Sequence, residues 1–411
     1  MEFCEITPEE FQNYVDDNFS HYTQSRTHYD YKVANNEPVY LVGVKEADEV
    51  LAVCLLNSAP VLKFFNYFYS HRGPVMDYTD KAVVYTFFTG LTKYLRKKRG
   101  VFALVDPHFI YRVRNHDGEI LESRNMDGFI NQMNQLGYLH KGFSVGYSMD
   151  SQARWLSVLH LEGKSEEQLL KNMEYKTRRN INKTIEMGVQ LRDLSIDETD
   201  RFFKLFKMAE DKHGFSFRDQ AYFERMQKTY GNQCRLVLSY IDLNDYLDNL
   251  NTTLSQAKKE YENSMLELKE NPDFRKLKNK TKELENDVNR LQKKIDETIT
   301  LRETDGPILD LASALYIHNA HELYYLSSGS NPKYNQFMGP YNMMWRMIQY
   351  AKSLNLKTYN FYGICGVFTE DAEDYGVLKF KKGFNGVVEE YVGDFEKPLN
   401  PLLYKLYKMR K

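Results

Sequence analysis

Cysteine is scarce and scattered: Cys4, Cys54, Cys234 and Cys365 are the only four, and no two stand in Cys-x-x-Cys spacing. That pattern fits neither a disulfide framework nor a structural zinc site, and it points to a reducing compartment. No apolar run approaches the eighteen residues of a membrane span, and the opening MEFCEITPEEFQ lacks the basic start and apolar stretch of a secretory signal. These absences describe a cytosolic protein, which can still touch a membrane. Charge of one sign is lacking too. With 55 Lys and Arg against 57 Asp and Glu the net charge is −2, so any RNA or phosphate contact must be a local patch and not a basic coat. A content of 42% apolar and 14% aromatic residues excludes disorder and fibrous repeats. The length of 411 residues predicts two or three units at roughly 100–200 residues each.

Glycine is absent from Tyr246 to Arg302, where Pro272 is the only proline. Apolar residues recur there at alternating three and four steps: Leu247, Leu250, Leu254, Ala257, Tyr261, Met265 and Leu268, then Phe274, Leu277, Leu284, Val288, Leu291 and Ile295. Ser264 and Thr281 are the polar interruptions. The turn Glu270-Asn271-Pro272-Asp273 is too short for anything but reversal, which predicts an antiparallel helical arm over 246–304, each helix roughly 37 Å long at 1.5 Å per residue. The arm reads either as a rigid element for protein contact or as a tRNA-contacting element. Its flanks, Arg235–Asn244 and Ile308–His318, read as strands that would form an ordinary hairpin without it, so the arm interrupts one domain.

The remainder carries an internal duplication. In the first half an aromatic segment, Phe65–Tyr78, leads to a helical run, Lys81–Lys98, and a strand ending at Asp106 and Pro107. In the second, Glu322–Ser330 leads past Gly339-Pro340 to a helical run, Tyr341–Ser353, and the strand TYNFYG. Each half then has a short helix closed by glycine and an aromatic residue, Gly137-Tyr138 and Gly383-Phe384, where glycine suits a left-handed helix end. Another strand follows each. The fold class is therefore α/β, with tandem acetyltransferase-like domains at 1–150 and at 151–245 plus 305–395, and a basic tail at 396–411.

On the series HYTQ (21–24), RGPVMDY (72–78), Asp106-Pro107, TRRNINK (177–183), the two-helix arm, YNQFMGPY (334–341), NFYG (360–363), FTEDAEDYGVLKFKKGF (368–384) and EEYVGDF (389–395), the chain resembles the Fem family of peptidoglycan interpeptide-bridge aminoacyltransferases. The resemblance covers nearly the whole chain in family order. It implies two N-acetyltransferase-like domains, an arm in the second, and transfer of an amino acid from aminoacyl-tRNA to the bridge on lipid-linked peptidoglycan precursor. Glycine is the usual donor amino acid in the family, and some members insert serine. The implied partners are glycyl- or seryl-tRNA, the precursor at the inner membrane face, and a second copy or related family members. No cofactor beyond the charged tRNA is implied. The resemblance assigns Lys32, Asp106, Arg218 and Tyr222 to precursor binding and places Phe380 and Lys381 at the reaction centre.

The residues themselves bear on those roles. Acetyltransferases of this fold hold a coenzyme A pyrophosphate on a glycine-rich turn that exposes backbone N–H groups. Here the stretch is Asn335-QFM-Gly339-Pro340-Tyr341, in which proline removes one N–H and tyrosine replaces the second glycine. It reads as a degraded cradle or as a plain structural turn. Lys176, Arg178, Arg179 and Lys183 fall within eight residues without an acid, an anion or tRNA site by charge, or else a solvated helix face. Arg218 and Tyr222 stand four apart, neighbours on one face if a helix begins near Asp219, and Asp106 ends a strand, where α/β folds place ligand contacts. Lys379 and Lys382 complement a helix dipole, whereas Lys381 suits an oxyanion that develops during aminolysis of an ester. Cys365 between Gly363 and Gly366 is the tempting nucleophile, but no histidine is placed beside it by sequence, and direct amine attack needs no covalent intermediate. His318 and His321 read as solvated loop residues, and no metal site is expected. The rival from another class is a catalytically silent paralogue that scaffolds the other bridge enzymes.

Overall fold

A computed structural model describes residues 1–213 and 218–410. Two mixed sheets form the body. In the first, strands lie side by side in the order Glu2–Glu5, Val39–Glu46, Glu49–Val61, Phe65–Ser70, Gly100–Val105, Phe395–Pro398 and Leu139–His140, with Val75–Met76 paired to Glu49–Val61. In the second the order is Gln190–Asp193, Cys234–Asp242, Ile308–His318, Glu322–Ser330, Thr358–Ile364, Trp155–His160, Val387–Tyr391, Ile110–Arg114 and Ile120–Ser123.

The duplication is visible as matching strand–helix–strand crossovers. Phe65–Ser70 runs parallel to Gly100–Val105 across the helix Lys81–Lys97. Glu322–Ser330 runs parallel to Thr358–Ile364 across the helix Gly339–Ser353. Asp80 caps the first helix by accepting from the N–H groups of Ala82 and Val83, and Val84, Phe87, Phe88, Leu91 and Leu95 bury its apolar stripe on the sheet. Met343, Met344, Met347 and Ile348 do the same in the second unit.

The division at residue 150 does not follow the sheets. Ile110–Arg114 and Ile120–Ser123 come from the first half of the chain yet lie in the second sheet, and Phe395–Pro398 returns to the first. The expected basic tail is likewise ordered. Residues Pro401–Arg410 form a helix whose Tyr404 and Tyr407 rings pack 5.6 and 5.0 Å from Phe102, and Lys411 lies outside the described residues. Tyrosines three apart share a helix face, which docks the segment on the first sheet.

The arm consists of the helices Leu243–Glu270 and Arg275–Asp305. The two polar interruptions of its seam meet each other: Ser264 and Thr281 hydroxyls are buried and 2.7 Å apart. A buried polar pair fixes the register of a helix seam, because any slip leaves a hydroxyl unpaired. The flanking strands pair as the hairpin the sequence suggested, Asp242 opposite Ile308. The arm's base, however, is part of the core. Tyr246, Leu247, Leu250, Leu254 and Ile295 are buried with Met187, Val189, Leu309, Leu311 and Phe337. A short turn in place of residues 258–287 should therefore leave cooperative urea unfolding of the body intact. Excision of the whole 246–304 segment should instead lower the unfolding free energy by on the order of several kcal/mol of lost burial, read as a lower urea midpoint, and equal midpoints for the two deletions would refute this division.

Candidate functional site

Lys381 sits on the helix Tyr375–Lys382, whose Leu378 and Lys381, three apart, face inward. The lysine is 4% exposed. Its Nζ donates to the carbonyls of Gly363 (2.7 Å) and Tyr362 (3.2 Å). A bulge aims those carbonyls. The register of Thr358–Ile364 against Trp155–His160 shifts between Ser157 and Val158, Tyr362 takes a left-handed backbone (φ +67°), and its N–H donates to Asn360 Oδ1 at 2.8 Å. A bulky residue holds that conformation at a cost only where its surroundings enforce it. Burial lowers the lysine's pKa from its ordinary value to about 7, outweighing the carboxylate of Asp374. Asp374 Oδ2 accepts from Tyr147 Oη and the Cys365 N–H, both at 2.8 Å.

Phe380 turns to the other side, with its ring 5.0 Å from Tyr341 and 5.3 Å from Phe384. Tyr341 thus fills the place where a coenzyme-binding turn has its second glycine. Gly339 is required by packing, since a Cβ there would stand 2.5 Å from Leu311 Cβ. Both observations favour the structural turn over a pyrophosphate cradle.

Between the sheets lies a buried polar cluster that the sequence announced only through Asp106. Asp106 Oδ1 accepts the Arg72 N–H at 2.6 Å, and the Arg72 guanidinium stacks 4.5 Å over Tyr391 and donates to the Ala153 carbonyl. Tyr391 Oη donates to Glu389 Oε2 (2.6 Å) and lies 2.8 Å from His108 Nε2. Burial pushes the Asp106 carboxyl up to about 7 against the pull of Arg72. It pushes Glu322 up to about 8, helped by the nearby Glu389 charge. Burial also drives His108 down to about 3 and His21 well below its usual range. Asp106 Oδ2, Arg72 Nε and His21 Nε2 have no hydrogen-bond partner among the described residues. Buried polar atoms are seldom left so, and three in one cluster call for a polar partner, ordered water or a ligand. Arg72, His21, Glu322, Glu389 and Tyr391 stood inside stretches singled out in the sequence but carried no site role there, and His108 was not named. The signal for them was acid inside strands, Glu389-Glu390 in Val387–Tyr391 and Glu322 opening its own.

The other residues expected to bind precursor approach the cluster from two helices. Lys32, on Arg26–Ala34, pairs with Glu37 at 2.7 Å, and its charge helps depress the His28 and His71 imidazoles. Arg218 is not on a helix face with Tyr222: it precedes the N-cap Asp219 of Gln220–Tyr230 and lays its guanidinium 4.7 Å over the Tyr222 ring. Residues 214–217 of that motif lie outside the described residues. Tyr362 links the groups. Its buried phenol feels Arg72 and Asp106, it adds to the burial that raises the Tyr222 and Tyr22 phenols, and its carbonyl holds Lys381.

The basic quartet divides. Lys176, Arg179 and Lys183 share the exposed face of the helix Tyr175–Glu186 with no ion pair among the described residues. Arg178 turns inward and donates to the carbonyls of Lys171 (2.5 Å) and Met173 (2.6 Å), so it closes the preceding helix and does not join an anion site. This helix abuts the lysine helix: Glu174 N–H donates to Gly383 O at 2.9 Å. Gly383 has φ −57° and is not left-handed; glycine is needed because a Cβ would meet Thr177 Oγ1 at 2.1 Å. The left-handed turn passes to Asn385 (φ +59°), whereas Gly137 (φ +77°) ends its helix as expected.

Cys365 is buried, and burial together with the neighbouring Asp374 carboxylate raises its thiol to about 11; its Sγ also bonds the Val367 backbone, and a thiol so raised is not an activated nucleophile. His318 and His321 rest their Nε2 atoms on the carbonyls of Asn232 and Val15, and no metal-binding group of side chains occurs among the described residues. No helix among those residues is long and apolar enough to cross a membrane.

A family model described as the FemAB family matches residues 6–411. The chain is 38% identical over its full length to an aminoacyltransferase FemA of Staphylococcus epidermidis, of which 99% is covered. It is 37% identical over its full length to an aminoacyltransferase FemA of Staphylococcus aureus, of which 98% is covered. Its fold superposes on a crystal structure of FemX with a TM-score of 0.81, at 22% identity and 99% coverage of both chains.

Proposed function

The chain belongs to the FemAB family and is an aminoacyltransferase, and we propose that it moves glycine or serine from aminoacyl-tRNA to the interpeptide bridge of lipid-linked peptidoglycan precursor. One observation carries this reading: Lys381, buried and held by two carbonyls, shares Tyr362 with the Arg72–Asp106 cluster. The ammonium has three hydrogens and spends two on those carbonyls, leaving one for the reacting centre. The acceptor amine attacks the donor's ester carbonyl, the new C–N bond forms, and the C–O bond to the ribose breaks. Lys381 donates its free hydrogen to the developing oxyanion and the departing ribose oxygen, and a lysine of pKa about 7 recovers its proton from the attacking amine. Lys32, Asp106, Arg218 and Tyr222 hold the precursor, and Lys176, Arg179 and Lys183 meet phosphate of the donor.

Purified precursor incubated with glycyl- or seryl-tRNA should gain one labelled amino acid from one of the two. No transfer from either would return the chain to a scaffolding role. Substituting Lys176, Arg179 and Lys183 with Gln should weaken tRNA binding and flatten its salt dependence, the slope falling by on the order of 0.7–0.9 for each phosphate that a lysine or arginine no longer neutralises. Arg178→Gln should leave that slope unchanged and lower stability.

A further inference from the structure

At the end of the first sheet opposite Asp106, three stretches of chain without a single acid come together: 50–76, 81–105 and 397–410. Hydrogen bonds join them. Asn66 donates through its N–H to Arg99 O (3.1 Å) and through Nδ2 to Lys98 O (3.2 Å). Arg96 Nε donates to Leu399 O (3.2 Å), and the Asn400 N–H donates to Val101 O (3.2 Å). Two acids from elsewhere touch the rim, Glu5 at 4.0 Å from Lys98 and Glu396 at 3.3 Å from Lys408. Lys63, Lys97, Arg99, Lys405 and Arg410 are exposed and form no ion pair among the described residues. In a chain of net charge −2 this is a concentrated cationic face.

The same face carries apolar side chains left exposed by the described residues. The terminal helix Pro401–Arg410 packs the half-buried Tyr404 and Tyr407 against Phe102, and on its opposite side presents Leu402 (83% exposed), Leu406 (36%) and Met409 (69%) at i, i+4 and i+7. Lys405 and Arg410 flank that stripe on its two sides. Phe64, 74% exposed, tops the neighbouring hairpin turn beside Lys63. The stripe of Leu402, Leu406 and Met409 offers no ring face on which a base could stack, and Phe64 is a single ring where a strand of bases needs a succession of them, which disfavours RNA. An apolar stripe bordered by cations is the pattern of a helix lying in the headgroup region of an anionic bilayer. We infer that this end of the first sheet is a docking surface for an anionic lipid bilayer, with the terminal helix in the interface plane.

The inference rests on the proposed function for its purpose, because a lipid-borne acceptor gives the enzyme a reason to visit a bilayer. It is tested without donor or acceptor. The full-length protein should co-sediment with phosphatidylglycerol–phosphatidylcholine vesicles and not with phosphatidylcholine alone, and added salt should weaken the binding. Replacing Lys405 and Arg410 together with Gln should lower partitioning about thirtyfold, from roughly fivefold per charge. Leu402→Gln with Met409→Gln should lower it about tenfold or more, whereas Lys405→Arg with Arg410→Lys should keep it. Circular dichroism and transfer to a soluble acceptor should be unchanged in all three. Wild-type binding without a preference for anionic vesicles, or Gln variants that partition like wild type, would overturn the surface. So would variants that lose tRNA affinity while vesicle binding persists. Vesicle binding by a protein inactive in transfer would refute the proposed function and leave the surface standing.

Discussion

Lys381→Met should lower the single-turnover transfer rate by about 10²–10³-fold, the size of loss that follows removal of one oxyanion donor, with near-normal affinity for both substrates. The pH profile should change with it. In the wild type the rate falls above about pH 7 as the lysine deprotonates, and rises with deprotonation of an attacking amine of pKa about 8. In the variant only the rising limb should remain. Stability should move the opposite way to activity. A lysine whose folded-state pKa lies below its unfolded value binds fewer protons in the native state between about pH 7 and the ordinary lysine range. The folded protein therefore carries a penalty that is complete below pH 7 and is relieved as pH rises. Lys381→Met removes it, so the variant should melt higher than wild type at pH 6 and lose that advantage in alkaline buffer. Full transfer activity in a folded Lys381→Met protein would remove the lysine from the reaction.

The second large effect is structural and lies one residue from the polar cluster. Glu390→Ala should cost roughly 3–5 kcal/mol, read as a lower urea midpoint at unchanged m-value. The Glu390 side chain is 3% exposed and bonds Arg154 Nη2 (2.6 Å) and Arg114 Nε (2.8 Å). Arg154 also donates to the Tyr391 and Ser144 carbonyls, and burial holds its pKa below the ordinary arginine value. Removing the carboxylate strands the buried Arg154 guanidinium and takes one partner from Arg114, whose side chain is 15% exposed, and the cost exceeds the net worth of the pair. Glu390→Gln, which keeps one acceptor, should fall between. An alanine variant within about 0.5 kcal/mol of wild type, as at an ordinary surface site, would show that the triad is solvated.

What could be read in advance was local. The arm followed from a heptad-like spacing with one proline, and even its two polar gaps were visible, though not that Ser264 and Thr281 would pair. The two crossovers followed from the order aromatic strand, helix, strand. Strand exchange was invisible because Ile110–Arg114 follows Gly100–Val105 closely enough to read as its continuation, and only long-range pairing with Val388–Tyr391 assigns it elsewhere. Asp106 and Lys381 stood out as polar residues at element ends. Arg72 did not, because its importance comes from burial between two sheets, which no helical or strand period encodes. Arg178 misled because consecutive helix residues point 100° apart, so its neighbour Arg179 faces solvent while it turns in.

Because Phe395–Pro398 sits between Gly100–Val105 and Leu139–His140, the first sheet stays open for most of the chain's synthesis. At about 5–20 residues per second, the ribosome needs roughly 13 to 50 s to proceed from residue 140 to residue 398. Throughout that interval the strand that will close the sheet does not exist, the backbone edge of Gly100–Val105 waits unpaired, and the ring of Phe129, already set against Tyr78 and Phe109, lacks its contact with Phe395. The amino-terminal half of this enzyme therefore cannot mature ahead of its carboxy-terminal half. A nascent chain stalled before Phe395 presents an open β-edge, which makes the timing of translation, and whatever shields that edge in the meantime, part of how the protein reaches its active form.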